Sequence, residues 1–299
     1  MNLTRVLQPY VCCLGNPVAG NPTQFVMYRA ARACGVDWRF FTSQVEVNQF
    51  EVAFRGVQAL GLSGAALLNP FQSQVMPFLD SVTESAICMG RVNVARLDGR
   101  SWLGDNTLGA GIINSIEPWL ESSNQTPLSE MDLSERDDQS TILIVGDGKI
   151  AKTMRLANPR IAKRIVFASE GMDLPPEPSE PKDTGLSELQ ELPDSVTLDE
   201  FSNSGSRVSC LVLASIPNAT ILRQIAGLSW NNSAVCLLLD AVPEKQMRPW
   251  KDLLKVSNMI HIEQVDLMAH QAAVDFCFWT GIMPSVDLMR DSLEEYMQW

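Results

Sequence analysis

The feature that most constrains this chain is an apolar run that leads straight into a glycine-rich turn. Residues 141–145 (TILIV) are rich in β-branched side chains, as a strand buried on both faces requires. Residues 146–151 (GDGKIA) then follow the G-x-G-x-x-A pattern of a dinucleotide-binding turn, in which glycines let the backbone approach a pyrophosphate at a helix N-terminus. The position of the pattern between a strand and a helix favours a Rossmann-type domain. Its candidate cofactor contacts are Gly146, Gly148, Lys149 and Ala151.

Predicted strands and helices alternate along most of the chain, which indicates an α/β protein with largely parallel sheets. In the first third, strands at 10–14, 38–42 and 64–68 alternate with helices at 22–34 and 48–60. The inner face of the second helix is expected to carry Phe50, Val52, Ala53, Val57 and Leu60. Further strands are predicted at 164–168, 208–215, 234–240 and 259–263, and two helices, 267–280 and 284–296, follow them.

The net charge of −12 is concentrated in two polar segments. Residues 121–140 carry −5 and residues 170–200 carry −9, so the rest of the chain is close to neutral, at +2. This distribution provides no basic face to neutralise phosphates, which argues against a nucleic-acid partner. Both acidic segments are interpreted as solvated loops or linkers.

The histidine and cysteine content argues against a metal site built from protein ligands. The chain has two histidines and seven scattered cysteines, and its only close cysteine pair, Cys12 and Cys13, lacks metal-ligand spacing. An odd cysteine count suits a reducing compartment. No stretch approaches the ~20 apolar residues of a membrane helix, and the first residues do not resemble a signal peptide. We therefore expect a cytoplasmic protein without a membrane partner.

Five local patterns, in order along the chain, resemble the shikimate dehydrogenase family. They are CLGNPVAG at 13–20, GLSGAALLNP at 61–70, MGRVNVARLDG at 89–99, GDNTLGAG at 104–111 and DLMAHQAAVDFCFWTG at 266–281. The resemblance implies an α/β substrate domain, residues 1–113, that is completed by the C-terminal helices, residues 267–299. It also implies a Rossmann-type dinucleotide-binding domain at 114–266, with the ligand in a cleft between the two domains.

The implied family reaction, part of aromatic amino acid biosynthesis, is the reversible NADP-dependent reduction of 3-dehydroshikimate to shikimate. Its proton is handled by a lysine and an aspartate. Alignment of the motifs puts Gln72 at the lysine position and Leu108 at the aspartate position, and Phe71 replaces a neighbouring histidine. Neither Gln72 nor Leu108 exchanges a proton near neutral pH. The nearby Asp105 is interpreted as a helix cap or turn residue, not a substitute.

The substrate positions that the resemblance implies are partly retained. Ala66 and Leu68 replace polar residues, so one wall is expected to be more apolar. Arg91 is an addition in the same region, and it either meets an anion or is an ordinary surface charge. The retained candidates for substrate binding are Thr23, Asn93, Asn106 and Gln271.

The cofactor positions also differ from the family pattern. Ser169, the remaining candidate cofactor contact, and Glu170 stand where the family has an arginine for the 2′-phosphate of NADP. NADP is therefore expected to bind worse than NAD, if either binds. Glu170 is placed either to hold the ribose of NAD or simply to begin the acidic segment. Asp147 adds a negative charge beside the expected pyrophosphate, which Lys149 would offset in part.

Three functional hypotheses follow. The first is a divergent family member whose reductase activity is weak or lost and which binds a small hydroxylated carboxylate or related metabolite. The second is an active NAD-dependent oxidoreductase on another substrate, and the third is a non-catalytic regulatory or interaction protein. In the third, the acidic stretches recruit a partner. For the protein as a whole we expect a small-molecule ligand in the cleft, a monomer or homodimer, and no metal.

Overall fold

The computed structural model describes residues 8–122, 141–161, 164–168, 195–215, 217–239, 252 and 259–298. Most of the two acidic segments, together with Ser169 and Glu170, lies outside these ranges. The chain divides into two compact units, Met1–Gly111 with Met268–Trp299, and Ile112–Leu267. Within the described ranges, no helix has the length and apolar character needed to cross a membrane.

The first unit is built on a six-stranded mixed sheet. Its strands are β1 (Tyr10–Gly15), β2 (Arg39–Gln44), β3 (Gly64–Leu67), β4 (Ser81–Val82), β5 (Val94–Asp98) and β6 (Ser101–Asp105). They are arranged in the order β2-β1-β3-β5-β6-β4. β1 pairs in parallel with β2 and β3, whereas β5 runs antiparallel to both β3 and β6. β1 and β3 are almost wholly buried, because helices that follow β1 and β2 cover the sheet.

The helices α1 (Thr23–Ala33), α2 (Phe50–Ala59), α3 (Phe71–Gln74) and α4 (Glu84–Met89) lie in this unit, and α5 (Leu108–Ser122) begins in it and continues into the second. The inner face predicted for α2 is partly wrong. Phe50, Phe54 and Val57 are the buried residues, whereas Val52 is 68% exposed and Leu60 is 80% exposed. At about 100° per residue, Val52 lies about 200° around the helix from Phe50, and Leu60 follows the last helical residue. Phe54, which the prediction omitted, continues the face at the i, i+4 spacing.

The second unit has the doubly wound architecture predicted from the glycine turn, which confirms the fold class. Its elements are β7 (Thr141–Val145), α6 (Gly148–Ala157), β8 (Ile165–Ala168), β9 (Ser195–Val196), α7 (Leu198–Asn203), β10 (Val208–Leu213), α8 (Ala219–Ala226), β11 (Trp230–Leu238) and β12 (Ile260–Ile262). All the strands are parallel and follow the order β9-β8-β7-β10-β11-β12, which is the Rossmann order 3-2-1-4-5-6.

The last two helices, α9 (Gln264–Thr280) and α10 (Val286–Met297), return the chain to the first unit. Trp279 fixes α9 to the sheet, because its indole Nε1 donates a hydrogen bond of 2.9 Å to the Ala95 carbonyl. A Cβ on Gly64 would lie 2.6 Å from the Trp279 ring, so this close approach requires glycine. The helix α9 is therefore held at a defined position on the sheet.

Candidate functional site

The first unit contains a cavity of about 250 Å³, and every residue that lines it belongs to that unit. The turn after β1, the strand β3, the short helix α3, the residue before β5 and the helix α9 all contribute to its walls. Ligand sites for drug-sized molecules span about 300–1,000 Å³, so this volume suits a small single-ring molecule. The polar side chains of the lining come from Asn21, Thr23, Gln72, Asn93, Gln271 and Asp275.

Three of the four predicted substrate-binding residues meet at this cavity. Thr23, Asn93 and Gln271 come from separate parts of the sequence and all line it, as do Ala66 and Leu68 on the apolar wall. Three distant segments have thus converged on one site of the first unit.

Asn106 and Arg91 lie elsewhere. Asn106 is 5% exposed and is not part of the lining. Its Nδ2 donates to the Arg91 carbonyl at 3.0 Å, and its Oδ1 accepts from the Leu108 amide at 3.3 Å. The structure therefore gives Asn106 a role in the turn before α5. Arg91 is also absent from the lining, so it supplies no cation to the cavity.

Of the two positions that the resemblance assigns to proton transfer, only the one occupied by Gln72 lines the cavity. Gln72 lines the cavity, and its Nε2 donates to the Leu67 carbonyl at 3.0 Å. Phe71 is fully buried in the core, where its ring stacks on Phe50 at 4.5 Å between centroids. Leu108 is the first residue of α5 and does not line the cavity.

A carboxyl group that the sequence reasoning missed, Asp275, lies at the centre of the polar network. Its Oδ1 accepts hydrogen bonds from the Thr107 hydroxyl at 2.5 Å and from Asn93 Nδ2 at 3.3 Å. Thr107 in turn accepts from Asn93 Nδ2 at 2.7 Å and from Gln271 Nε2 at 3.5 Å, and its amide donates to Asn93 Oδ1 at 2.9 Å. Four side chains from three segments therefore hold one another in place.

The pKa of Asp275 is raised from an ordinary 3.8 to about 7, chiefly by burial and to a smaller extent by the nearby Asp105. Hydrogen bonds from Thr107 and Asn93 act in the opposite direction. A carboxyl group with this pKa exchanges a proton near neutral pH, which Gln72 and Leu108 do not. The signal that would have found it is its spacing: Asp275 comes four residues after Gln271, on the same face of a helix.

The other acidic and sulfur-containing groups of this region have structural roles. Asp105 Oδ1 accepts from the Asn106 amide at 2.7 Å and from the Thr83 hydroxyl, so the residue stabilises a turn. Burial raises the pKa of the Cys13 thiol to about 12, which makes it a poor nucleophile at neutral pH. Within the part of the chain that the structure describes, no group of three His, Cys, Asp or Glu side chains is placed to hold a metal ion.

The glycine turn of the second unit has the backbone of a dinucleotide site, but the Asp147 side chain already occupies one of its amides. Gly146 has a φ of +119°, and its amide donates to the Ala168 carbonyl at 3.0 Å. Asp147 caps α6: its Oδ1 accepts from the Lys149 amide at 2.8 Å. Gly148, at the start of that helix, is buried.

A dinucleotide pyrophosphate binds the free amides at such a helix N-terminus. Here it would have to displace the Asp147 carboxylate and would meet its negative charge. The described residues of the turn therefore do not fit a bound dinucleotide in this conformation. Ala151 is fully buried in α6, and Ser169, the remaining predicted cofactor contact, lies outside the described residues.

Comparisons of sequence relate the chain to one family. Residues 13–95 match the family profile described as the shikimate dehydrogenase substrate binding domain. The chain is also similar to the protein named shikimate dehydrogenase (NADP(+)) of Bacillus licheniformis, with 25% identity over 297 residues, which cover 95% of this chain and 96% of that relative. The segments that form the cavity's turn, β3 and α3 all fall inside the matched profile.

Comparisons of structure support the same fold. Shikimate 5-dehydrogenase of Thermus thermophilus, solved in complex with shikimate, matches with a TM-score of 0.66 and 16% identity, over 98% of this chain and 100% of that one. The 5-ketofructose reductase of Gluconobacter sp. strain CHM43 matches with a TM-score of 0.60 and 16% identity, over 97% and 99%. Proteins named for different substrates share this fold, so the fold alone does not identify a ligand.

Proposed function

We propose that the chain is a member of the shikimate dehydrogenase family, that the cavity of its first unit binds a small hydroxylated molecule, and that the family reaction is weak or lost. That reaction is the NADP-dependent interconversion of 3-dehydroshikimate and shikimate. The observation that carries the proposal is an intact polar cavity that has Gln72 where the resemblance implies a lysine.

The expected loss of activity follows from proton transfer. The Gln72 amide is neutral, donates to the Leu67 carbonyl and has no proton to exchange near neutral pH. Leu108, at the position implied for the aspartate, is apolar and lies outside the cavity lining. General acid–base catalysis contributes on the order of 10²–10⁴-fold, so removing both partners leaves at most slow turnover.

The expected binding follows from the arrangement of polar side chains. Thr23, Asn93 and Gln271 line one cavity, and the network around Asp275 fixes two of them before any ligand arrives. Fixed polar groups on a partly apolar wall are typical of small-molecule sites, because preorganisation lowers the entropic cost of binding.

The hydrogen bond from the Lys149 amide to the Asp147 carboxylate favours a second candidate, a non-catalytic ligand-binding or regulatory protein. In that case the second unit keeps its Rossmann fold without its cofactor, since Asp147 takes the amide that a pyrophosphate needs. The remaining hypothesis, an active NAD-dependent oxidoreductase on another substrate, requires the nucleotide to displace this carboxylate.

Calorimetric titration and a coupled activity assay test the proposal together. We expect the full chain to bind shikimate, its methyl ester or quinate, and to reduce NADP with shikimate far more slowly than the ~1–10³ per second of ordinary enzymes. Gln271→Ala is expected to weaken binding at least tenfold, whereas Gln49→Ala, which changes an exposed glutamine outside the cavity, should leave it unchanged.

Two results would contradict the proposal in different ways. Turnover of ordinary size would show that proton transfer survives without the implied pair. Absence of binding for all three compounds would remove the ligand site itself. Cytoplasmic location, a monomeric or homodimeric state and weaker binding of NADP than NAD stay predictions from the sequence.

A further inference from the structure

We propose that Asp275 makes the cavity selective for an uncharged polyhydroxylated ligand and against the hydroxylated carboxylate that the sequence predicts. This inference rests on the proposed function, because it takes the cavity to be a ligand site. It adds to that function the charge of the ligand and the residue that selects it.

The first argument is the charge of the lining. Of the described residues that form the cavity wall, Asp275 is the only one with an ionisable side chain, and none is lysine, arginine or histidine. The lysine that the resemblance implies is Gln72 here. A ligand carboxylate in this cavity would therefore find no cation and would face a second carboxyl group, which raises its free energy on binding.

The second argument is the supply of hydrogen-bond donors and acceptors. Gln72 uses one Nε2 proton on the Leu67 carbonyl and Gln271 uses one on the Thr107 hydroxyl, so each keeps its Oε1 as an acceptor and one N–H as a donor. The hydrogen bonds from Asn93 and Thr107 to Asp275 both end on Oδ1, and no described residue donates to Oδ2.

These free groups match hydroxyls better than a carboxylate. A ligand hydroxyl donates to an acceptor oxygen, whereas an ionised carboxylate can only accept. Asn93 has little donor capacity left for a ligand, because its Nδ2 already bonds Thr107 and Asp275. Asn21, on the turn after β1, and Thr23, the first residue of α1, are neutral and suit either kind of ligand.

The selection should depend on pH. The ionisable groups that face Asp275 are Asp105, which acts on it as a like charge, and Cys13 on β1, whose raised pKa keeps its thiol neutral. The pKa of Asp275 is about 7, so its carboxyl is mostly ionised at pH 8 and mostly protonated at pH 6. Discrimination against an anionic ligand is therefore expected to be large at pH 8 and small at pH 6.

Shikimate and its methyl ester form a matched pair of probes, because they share one ring and one set of hydroxyls and differ in charge. Calorimetric titration of the full chain with each gives a ratio of dissociation constants. At pH 8 we expect the ester to bind at least tenfold tighter, which is 1.4 kcal/mol. In Asp275→Asn at pH 8, and in the wild-type chain at pH 6, the ratio should fall at least fivefold.

The comparison between variants removes the effect of the ester's extra bulk, since that bulk is the same in every titration. Asp98→Asn serves as the control: it also deletes one negative charge, but its side chain is 73% exposed and outside the cavity lining. Its ratio should equal that of the wild-type chain.

Equal or tighter binding of shikimate at pH 8, or a ratio that Asp275→Asn does not change, would overturn the inference. If Asp275→Asn fails to fold, the wild-type ratios at pH 6 and pH 8 decide it alone. If neither probe binds any of the proteins, the proposed ligand site is itself wrong, a result distinct from binding without selection.

Discussion

The cavity of the first unit and the glycine turn of the second show how differently an aspartate carboxylate can act at two candidate sites. In the cavity, Asp275 receives two hydrogen bonds on Oδ1, and Oδ2 has no donor among the described residues. In the turn, Asp147 spends its carboxylate on the amide of its own helix. Asp275 therefore keeps a carboxylate oxygen that can accept a hydrogen bond from a ligand. Asp147 instead accepts from an amide that a ligand phosphate would need, which disfavours binding there.

The largest expected effect tests whether the turn after β3 has become core. Phe71→Ala should lower the free energy of unfolding by about 3–5 kcal/mol, because it deletes a fully buried ring stacked on Phe50. Urea denaturation measures this loss. Leu60→Ala is the control and should change stability by less than about 0.5 kcal/mol, since Leu60 is 80% exposed. A loss for Phe71→Ala as small as that of the control would mean that the ring is not needed for packing.

The next largest effect is the pH dependence of stability that a buried carboxyl group in the cavity produces and an apolar core does not. Because folding raises the pKa of Asp275 from 3.8 to about 7, the folded chain binds more protons than the unfolded chain between these values, so stability falls as pH rises through them. Asp275→Asn should therefore raise the free energy of unfolding by about 1–3 kcal/mol at pH 8, discounted for partial exposure, with the gain fading toward pH 4. Denaturation at a series of pH values measures it. A destabilisation that is equal at every pH would show that the carboxyl serves packing alone.

The smallest expected effect on stability concerns the Asp147 cap in the glycine turn of the second unit. Asp147→Ala removes the cap of α6 and should cost about 1 kcal/mol of stability, while NAD binding becomes at least tenfold tighter as the Lys149 amide is released. Asn218→Ala is a matched control in the same unit, because Asn218 caps α8 through the amides of Thr220 and Ile221. It should cost a similar amount of stability and leave nucleotide affinity unchanged. Identical NAD affinities in the two variants would mean that the carboxylate does not close the site.

The sequence predicts the fold well where local patterns are strong. The β-branched run and the glycines at 146 and 148 predict the strand, turn and helix of the Rossmann unit, because a buried parallel strand and a positive φ leave few alternatives. The inner face of α2 is less certain, since apolar residues occur on more than one side of that helix. The buried face is determined by the tertiary packing of Phe54, and the sequence does not reveal those contacts.

The site is predicted less completely than the fold. A family resemblance predicts a site residue only where the family motif has an equivalent one. It therefore predicts Asn93 and Gln271, which line the cavity, but not Asp275, which lines it too and is not among the implied site residues. It also assigns Asn106 to a ligand, although the tertiary structure uses that amide within a turn. The residues at the two implied positions are read directly from the sequence, whereas the place of Asp275 in the cavity lining needs three-dimensional contacts.

The return of α9 and α10 to the first unit has a consequence for how the chain is made. Met268–Trp299 completes a unit whose other part, Met1–Gly111, is synthesised before the whole of Ile112–Leu267. During synthesis, the surface of the first sheet that Trp279 covers therefore stays exposed until the entire second unit has left the ribosome. The entropic cost of joining ends so far apart grows only slowly with length, by about 0.6 kcal/mol for each doubling of the loop. The second unit can thus lengthen or shorten at little entropic cost while the helix that bears Gln271 and Asp275 still completes the cavity.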